Sequence, residues 1–268
     1  MADFLTFMYQ EDKAYSTINT ARSALSALGI KIDGTPVGAH PLITRLMRGI
    51  FNKRPTRAKY TSVWDVNQVL QHLKNTQDVK DISLKELTLK LTMLIALTQA
   101  ARPQTIHLIS LKNLKKTQDR YVLELDEALK HTRPGTPLEP IIIKAFPHDK
   151  NLCVFTTLEE YIERTREHRN NEDRLMISYV KPHKAVTRDS IRRWIRVTME
   201  NAGINTEIYG AYSTRAASAS KAASLNIPIC NIMKTAGWAR ETTFTKYYLK
   251  NVTTPESYSD NLLNNALT

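Results

Sequence analysis

A long apolar helix is the feature of this sequence that most limits how the chain can fold. Ser83 and Glu86 form a pair of polar residues that caps the start of a helix. Apolar side chains then recur at intervals of three and four residues, namely Leu84, Leu87, Leu91, Leu94 and Ile95. The pattern predicts a core helix that ends near Arg102 and Pro103, because proline interrupts a helix. Since the apolar side chains must be covered, we expect the rest of the chain to pack around this helix.

Other segments predict further helices and one small sheet. Helical spacing recurs within residues 16–29, 41–50, 64–73, 158–165 and 191–203. Residues 121–125 alternate as in a strand, residues 132–137 predict a turn, and residues 141–143 predict an antiparallel partner. The predicted fold class is therefore mainly α with a small antiparallel β-sheet, an α+β fold.

Two structural units are predicted from the length of 268 residues and from a basic, proline-containing stretch near residues 52–60. We predict a partial helical domain with its linker over residues 1–57 and a larger domain over residues 58–268. The two cysteines, Cys153 and Cys230, lie among apolar residues without a metal-ligand spacing, which indicates buried thiols in a reducing compartment. Because no apolar run is long enough to span a membrane, we expect a soluble intracellular protein.

The charge balance favours a polyanionic partner. Lys and Arg number 38 against 26 Asp and Glu, which gives a formal net charge of +12. Each phosphate that a cation neutralises releases counterions, and long-range attraction speeds the encounter. Charge alone is equally compatible with an ordinary basic protein, so a DNA-binding role must show in particular residues.

Two arginines stand at predicted helix boundaries. Arg102 follows the apolar core helix, from which a guanidinium can present two parallel donors to a phosphate. An arginine at the end of a helix more often satisfies free carbonyl groups there. Arg215 falls in the first turn of a helix that Ser213 can cap, where a cation is disfavoured unless an anion binds. A buried structural ion pair is the alternative for Arg215.

A third segment joins Gly237 and Trp238 to the adjacent tyrosines Tyr247 and Tyr248. A tyrosine pair on an amphipathic helix is usually a packing feature. In this order with the two arginines, however, the three segments resemble the catalytic domain of tyrosine recombinases, and especially the integrase-like recombinases of eukaryotic mobile elements. The resemblance extends from the linker to the C-terminus, and the early helices resemble the end of the family's helical, SAM-like core-binding domain.

The resemblance implies a role for each matching residue. Arg102 and Arg215 hold the non-bridging oxygens of a DNA phosphate, and the Trp238 indole donates to the same group. Lys130 protonates the departing 5′ oxygen as a general acid, with Lys144 as the competing candidate. A tyrosine attacks the phosphate and forms a 3′-phosphotyrosyl link, so the scheme implies no cofactor and no metal.

Two positions depart from the family pattern or leave it open. Tyr212 stands where the family has histidine, and a phenol with an unperturbed pKa near 10 is a poor base at neutral pH. The nucleophile is Tyr247 or Tyr248, and the preceding Thr243 and Phe244 favour Tyr248. Tyr212 favours the alternative of a catalytically degenerate DNA-binding protein, and a helical interaction scaffold is a third hypothesis.

The partners implied are double-stranded DNA and further copies of the chain, a synaptic tetramer by resemblance. The predicted contacts to DNA phosphates are Lys53, Arg54, Arg57, Lys59, Arg188, Arg192 and Arg193. Resemblance to eukaryotic elements implies a nuclear location if the host is a eukaryote. A tail over residues 255–267 is expected to dock on a neighbouring subunit, or to fray.

Overall fold

The computed structural model describes residues 1–55, 60–127, 132 and 139–252. The chain forms two compact units, Met1–Lys59 and Tyr60–Thr268. The boundary predicted after Arg57 falls on residues that lie outside the described ones, as do the turn predicted near residues 132–137, except for residue 132, and the tail over residues 255–267.

The first unit is helical with one short hairpin. Its elements are α1 (Ala2–Gln10), α2 (Tyr15–Ala27), β1 (Lys31–Ile32), β2 (Thr35–Pro36) and α3 (Pro41–Lys53). Pro41 occupies the first turn of α3, where its missing N–H costs nothing. The unit has its own apolar core, formed by Leu5, Ile18, Val37, Ile43, Met47 and Ile50.

The second unit is mainly helical, and its described residues form two small sheets. Its elements are β3 (Ser62–Val63), α4 (Val66–Lys74), α5 (Leu84–Thr98), α6 (Pro103–Leu108), β4 (Leu114–Lys116), β5 (Arg120–Leu123), β6 (Ile141–Lys144), α7 (Val154–Thr165), α8 (Arg188–Asn201), α9 (Ser213–Ser224), α10 (Ile229–Ala236), α11 (Glu241–Tyr247) and β7 (Asn251–Val252). The predicted fold class, mainly α with a small antiparallel sheet, is confirmed.

The predicted core helix is confirmed as α5. Every residue from Leu87 to Leu97 is buried, and the helix packs against α6, α7, α8 and α9. The capping box of Ser83 and Glu86 forms as predicted. The predicted end of the helix near Arg102 is wrong, because α5 stops at Thr98.

The sheets connect distant parts of the second unit. β5 and β6 pair antiparallel, as predicted, with Tyr121 opposite Ile143, and β4 adds an edge strand that was not predicted. β3 and β7 form a second, parallel pair. This pair joins the start of the second unit to the residues that follow α11.

The described residues contain neither a membrane-spanning helix nor a cluster of metal ligands. No helix among them is long and apolar enough to cross a membrane. They also contain no group of His, Cys, Asp and Glu side chains that could hold a metal ion.

Candidate active site

Arg215 is the most deeply buried charged side chain of the candidate site. It lies in the first turn of α9 and is 1% exposed. One terminal nitrogen donates to the carbonyl of Ala100, and the other donates to the carbonyl of Ala236 at 2.9 Å. Among the described residues no carboxylate pairs with Arg215, and its Nε has no hydrogen-bond partner. The guanidinium thus keeps N–H donors for a further acceptor.

The carbonyls that hold Arg215 belong to the C-terminal ends of two helices. Ala236 is the last residue of α10, and Ala100 follows the end of α5. Carbonyls at such ends lack intrahelical partners and carry partial negative charge, which supports a buried cation. Ala100 has a φ of 41°, a left-handed conformation that is uncommon for a residue with a Cβ. This turn directs the Ala100 carbonyl at Arg215 and ends α5 without a glycine.

Arg102 lies at the start of a helix rather than at the end of one. It is the N-cap residue of α6, and Pro103 opens that helix. Burial, and after it the nearby positive charge of Arg102, lowers the pKa of Arg215 to about 10. Arg215 therefore remains charged at neutral pH. Two like charges so close together favour binding of an anion between or beside them.

The start of α9 differs from the sequence prediction in one detail. Tyr212, and not Ser213, is the N-cap residue, and its side chain makes no capping bond. The Ser213 hydroxyl instead accepts a 2.8 Å hydrogen bond from Trp64 Nε1. Small residues follow along α9, with Ala216, Ala217 and Ala219 buried. They let the helix approach its neighbours closely, which brings Arg215 to the two carbonyl groups.

Trp238 forms one wall of the site. Gly237, with a φ of 67°, ends α10 in the left-handed conformation that glycine adopts easily. The Trp238 ring is then 4.7 Å from the Arg215 guanidinium carbon and 4.4 Å from the centre of the Tyr248 ring. Its indole nitrogen is buried and has no hydrogen-bond partner among the described residues. The indole N–H lies near the Tyr248 hydroxyl and acts to lower the pKa of that phenol.

Tyr212 and Tyr248 meet through their hydroxyl groups. The two oxygens are 2.5 Å apart, a short hydrogen bond between residues 36 positions apart in the chain. The Tyr248 ring lies 5.7 Å from the Arg215 guanidinium carbon. Tyr247 differs: it is 58% exposed, and Lys246 lies 5.3 Å from the centre of its ring. Of the two adjacent tyrosines, Tyr248 is the one that contacts Tyr212, Arg215 and Trp238 among the described residues.

The pKa values of the two phenols move in opposite directions. Burial raises the pKa of Tyr212, but the hydrogen bond with Tyr248 and the charges of Arg215 and Arg102 outweigh it, so the pKa lies below 10. Burial, followed by the hydrogen bond with Tyr212, raises the pKa of Tyr248 above 10. These directions correspond to Tyr248 as the donor and Tyr212 as the acceptor.

A cavity of about 450 Å³ adjoins these residues. Arg215 and Trp238 line it, together with Gln99, Thr105 and apolar residues of β6 and α10. Glu139, a carboxylate in its wall, lies 3.5 Å from the ammonium group of Lys234. The chemistry of the cavity therefore suits an anionic group held by a guanidinium, with the indole N–H as a further donor.

The structure brings together five of the sequence-predicted catalytic residues: Arg102, Tyr212, Arg215, Trp238 and Tyr248. Lys130 lies outside the described residues. Its competitor Lys144 is exposed at the end of β6, opposite Arg120. The carbonyls of Ala100 and Ala236 were not predicted, because any residue supplies a carbonyl and no side chain signals its orientation.

The predicted DNA-contacting residues have different environments. Arg57 and Lys59 lie outside the described residues. Lys53 is exposed, as are Arg188, Arg192 and Arg193 on α8. Arg54 is engaged within the first unit: it pairs with Asp12 at 2.8 Å and donates to the Lys13 carbonyl at 2.9 Å.

Several solved structures share the fold of this chain. A XerH site-specific recombinase bound to palindromic difH substrate, in a post-cleavage complex, matches 99% of this chain and 70% of its own, with a TM-score of 0.64 and 15% identity. The Tn1549 transposon integrase in complex with circular intermediate DNA matches 98% of this chain and 82% of its own, with a TM-score of 0.58 and 12% identity. A lambda integrase tetramer bound to a Holliday junction matches 96% of this chain and 65% of its own, with a TM-score of 0.54 and 14% identity. No protein-family model and no curated protein matches the sequence.

Proposed function

We propose that this chain, which has the fold of tyrosine recombinases, is a site-specific DNA recombinase or integrase that breaks and rejoins DNA through a 3′-phosphotyrosyl intermediate. One observation carries the proposal. The Tyr248 hydroxyl shares a site with Arg215, a buried cation that has no carboxylate partner among the described residues. A buried charge without a counter-charge is costly, and a bound phosphate would supply that counter-charge.

Arg102 and Arg215 would hold the two non-bridging oxygens of the scissile phosphate. Their fixed positions would stabilise the additional negative charge of the transition state without reorganisation. The Trp238 indole N–H, which has no hydrogen-bond partner in the described part of the chain, would donate to the same phosphate. The three groups would thus serve as a phosphate cradle.

Tyr248 is the proposed nucleophile. Its oxygen attacks the phosphorus and forms the Tyr–O–P bond, while the bond from phosphorus to the 5′ oxygen breaks. The 5′ oxygen takes a proton from Lys130, the proposed general acid. In the return step a 5′ hydroxyl attacks the phosphotyrosine, so the bond energy is retained and no cofactor is needed. The ring contacts of Tyr248 with Arg215 and Trp238 support this choice over the exposed Tyr247.

Tyr212 is proposed to accept the proton that Tyr248 loses. The 2.5 Å hydrogen bond offers a direct path between the two oxygens. Because the nearby cations lower the pKa of Tyr212, a fraction of Tyr212 has already released its own proton to solvent, and this phenolate can accept the Tyr248 proton. The pKa of Tyr248 is raised, so the proton leaves Tyr248 only as the Tyr–O–P bond forms. This proposal gives the phenol at position 212 a use in the reaction, rather than treating it as the mark of a lost activity.

Double-stranded DNA is the proposed substrate, and a homo-oligomer assembled on DNA is the proposed active form. The net charge of +12 and the exposed arginines of α8 support DNA binding. Exchange between two sites needs several active sites, which agrees with the DNA-bound tetramer described for lambda integrase. As an integrase of a mobile element in a eukaryotic host, the protein would act in the nucleus.

The test is covalent trapping on DNA. Nicked duplexes with a randomised central sequence are incubated with the protein, so that the short 5′-hydroxyl strand diffuses away after cleavage. We expect a DNA adduct that survives denaturing electrophoresis, disappears in Tyr248→Phe and persists in Tyr247→Phe.

Other outcomes separate the competing hypotheses. Salt-sensitive DNA binding without an adduct would contradict the enzymatic proposal and support a degenerate DNA-binding protein. Absence of any salt-sensitive DNA binding would leave an interaction scaffold. Loss of the adduct in Tyr247→Phe alone would identify the other nucleophile.

A further inference from the structure

The hydroxyl of Ser220 holds the backbone on both sides of Leu249. Ser220 Oγ donates to the Tyr248 carbonyl at 2.9 Å and accepts from the Lys250 N–H at 3.0 Å. Ser220 is 4% exposed, so water does not readily replace these bonds. A single hydroxyl therefore uses both its donor and an acceptor site on the segment that follows the nucleophile.

This segment needs an outside partner because a helix ends there. α11 ends at Tyr247, and Tyr248 has left the helical conformation, with a φ of −121° and a ψ of −31°. Its N–H still donates to the Phe244 carbonyl at 2.8 Å, but carbonyls at a helix C-terminus have no partner in their own helix. Ser220 supplies that partner from α9.

Ser220 also links the nucleophile to the proposed phosphate cradle through one rigid element. Arg215 and Ser220 lie on the same helix, α9, which is buried over most of its length. The guanidinium of the first contacts the Tyr248 ring from one side, and the hydroxyl of the second fixes the Tyr248 backbone. Because both residues lie on α9, this one helix fixes the distance between the phosphate site and Tyr248.

We infer that Ser220 is a positioning residue for Tyr248, which holds the nucleophilic oxygen at its attack distance and in its hydrogen bond with Tyr212. The inference rests on the proposed function for its catalytic consequence, but its structural part does not. Misplacement of a reacting group by about 1 Å costs on the order of 100-fold in rate. Ser220 does not touch DNA in this proposal, so its loss would affect the chemical step and not binding.

The first experiment compares two serine-to-alanine changes in the same helix. Ser220→Ala removes the hydroxyl that holds Tyr248 and Lys250. Ser224→Ala removes an exposed hydroxyl whose one bond among the described residues is to the Lys221 carbonyl of its own helix, at 2.8 Å. With nicked suicide DNA at saturating protein, we expect adduct formation to slow by roughly 10- to 100-fold in Ser220→Ala, with unchanged DNA affinity. Ser224→Ala should react at the parental rate. Equal rates in Ser220→Ala and Ser224→Ala would overturn the inference.

Thr198→Val controls for loss of a buried hydroxyl away from the site. Thr198 is 2% exposed, and its hydroxyl bonds to the Trp194 carbonyl within α8. If this variant slowed cleavage as much as Ser220→Ala at equal thermal stability, the effect would be one of general packing and the inference would fail.

A second measurement does not depend on cleavage. NMR titration of ¹³Cζ-labelled tyrosine reports the pKa of each phenol, and Tyr248→Phe assigns the signal. In the parental protein Tyr248 should titrate above its ordinary value because of burial and its bond with Tyr212. We expect Ser220→Ala, but not Ser224→Ala, to move that pKa towards 10. An unchanged pKa of Tyr248 in Ser220→Ala would overturn the inference, whether or not the parental protein forms an adduct. Absence of an adduct with the parental protein would overturn only the proposed function.

Discussion

Two consecutive helices of the second unit carry arginines in opposite environments. On α8, Arg192 pairs with Asp189 at 2.7 Å and Arg196 pairs with Glu200 at 2.9 Å, and all four side chains are largely exposed. On α9, Arg215 is buried, and its described partners are two backbone carbonyls and two aromatic rings. The arginines of α8 are thus solvated and paired with carboxylates. Arg215 on α9 is removed from water and has no carboxylate partner among the described residues.

The energies of the two environments explain why this difference indicates function. Exposed ion pairs contribute about 0–1 kcal/mol, so the arginines of α8 are nearly neutral for stability. Burying a cation costs several kcal/mol unless an opposite charge compensates it. Two helix C-termini compensate Arg215 in part. A bound phosphate would offset the remaining cost of burying Arg215. Arg215, and not the arginines of α8, is therefore the centre of the proposed site.

The largest expected effect is that of Arg215→Lys. A lysine keeps the charge but cannot hold two carbonyls and present two parallel donors to a phosphate. We expect adduct formation to fall by about 10²- to 10³-fold, the loss found when one fixed transition-state donor is removed. The measurement is the single-turnover rate on nicked suicide DNA, with thermal unfolding to verify the fold.

Arg193→Lys is the matched control on α8. Because Arg193 is exposed, a lysine there should contact a phosphate as a point charge, with cleavage at nearly the parental rate. If both lysine variants lost the same fraction of activity, the contrast between the two helices would have no functional meaning.

The next effect concerns the pH dependence of cleavage, since two nearby cations, Arg215 and Arg102, lower the pKa of Tyr212. Its pKa is lowered below 10, so the phenolate fraction, and with it adduct formation, should rise as pH increases towards that pKa. Tyr212→Phe should slow cleavage by up to about 100-fold at neutral pH and remove the rising limb. An unchanged rising limb in Tyr212→Phe would mean that another group accepts the proton.

A smaller effect is expected for the indole donor. Trp238→Phe retains a ring against Arg215 and removes an N–H that lacks a partner among the described residues. Adduct formation should fall by roughly 10-fold, with little change in the free energy of unfolding. Trp64→Phe is the contrast, because the Trp64 N–H donates to Ser213 at 2.8 Å. It should lower the free energy of unfolding by about 1 kcal/mol. A destabilised Trp238→Phe with normal cleavage would give Trp238 a packing role only.

The parts of the fold that the sequence predicted are those with local signals. The capped apolar repeat of α5 and the alternation in β5 reflect contacts that neighbouring residues already encode. The predicted end of α5 was wrong because the helix stops before Ala100, which adopts a left-handed conformation. Glycine or asparagine usually marks that conformation in a sequence. The parallel pair of β3 and β7 joins residues nearly 190 positions apart, as the Tyr60 and Lys250 contact also does, and no local pattern encodes such pairing.

The candidate site divides in the same way. Arg102, Arg215 and Trp238 carry chemistry that is visible in their residue type and in their position at element boundaries. The hydrogen bond between Tyr212 and Tyr248 depends on where α9 begins and where α11 ends in space, so the sequence left the nucleophile open between two positions. Ser220 gave no signal, since one serine in a run of small residues resembles its neighbours until its partners are known.

The smallest effect is expected on the exposed side of the comparison. Arg193→Ala removes one candidate phosphate contact, so DNA affinity should fall only a few-fold at moderate salt. The slope of log K against log salt should decrease by about 0.9 if the residue contacts one phosphate. Arg166→Ala removes another exposed cation, which pairs with Glu163 and was not predicted to contact DNA, and should leave the slope unchanged. Equal slopes for the two variants would mean that α8 faces solvent in the DNA complex. The exposed arginines of α8 would then have no part in DNA binding.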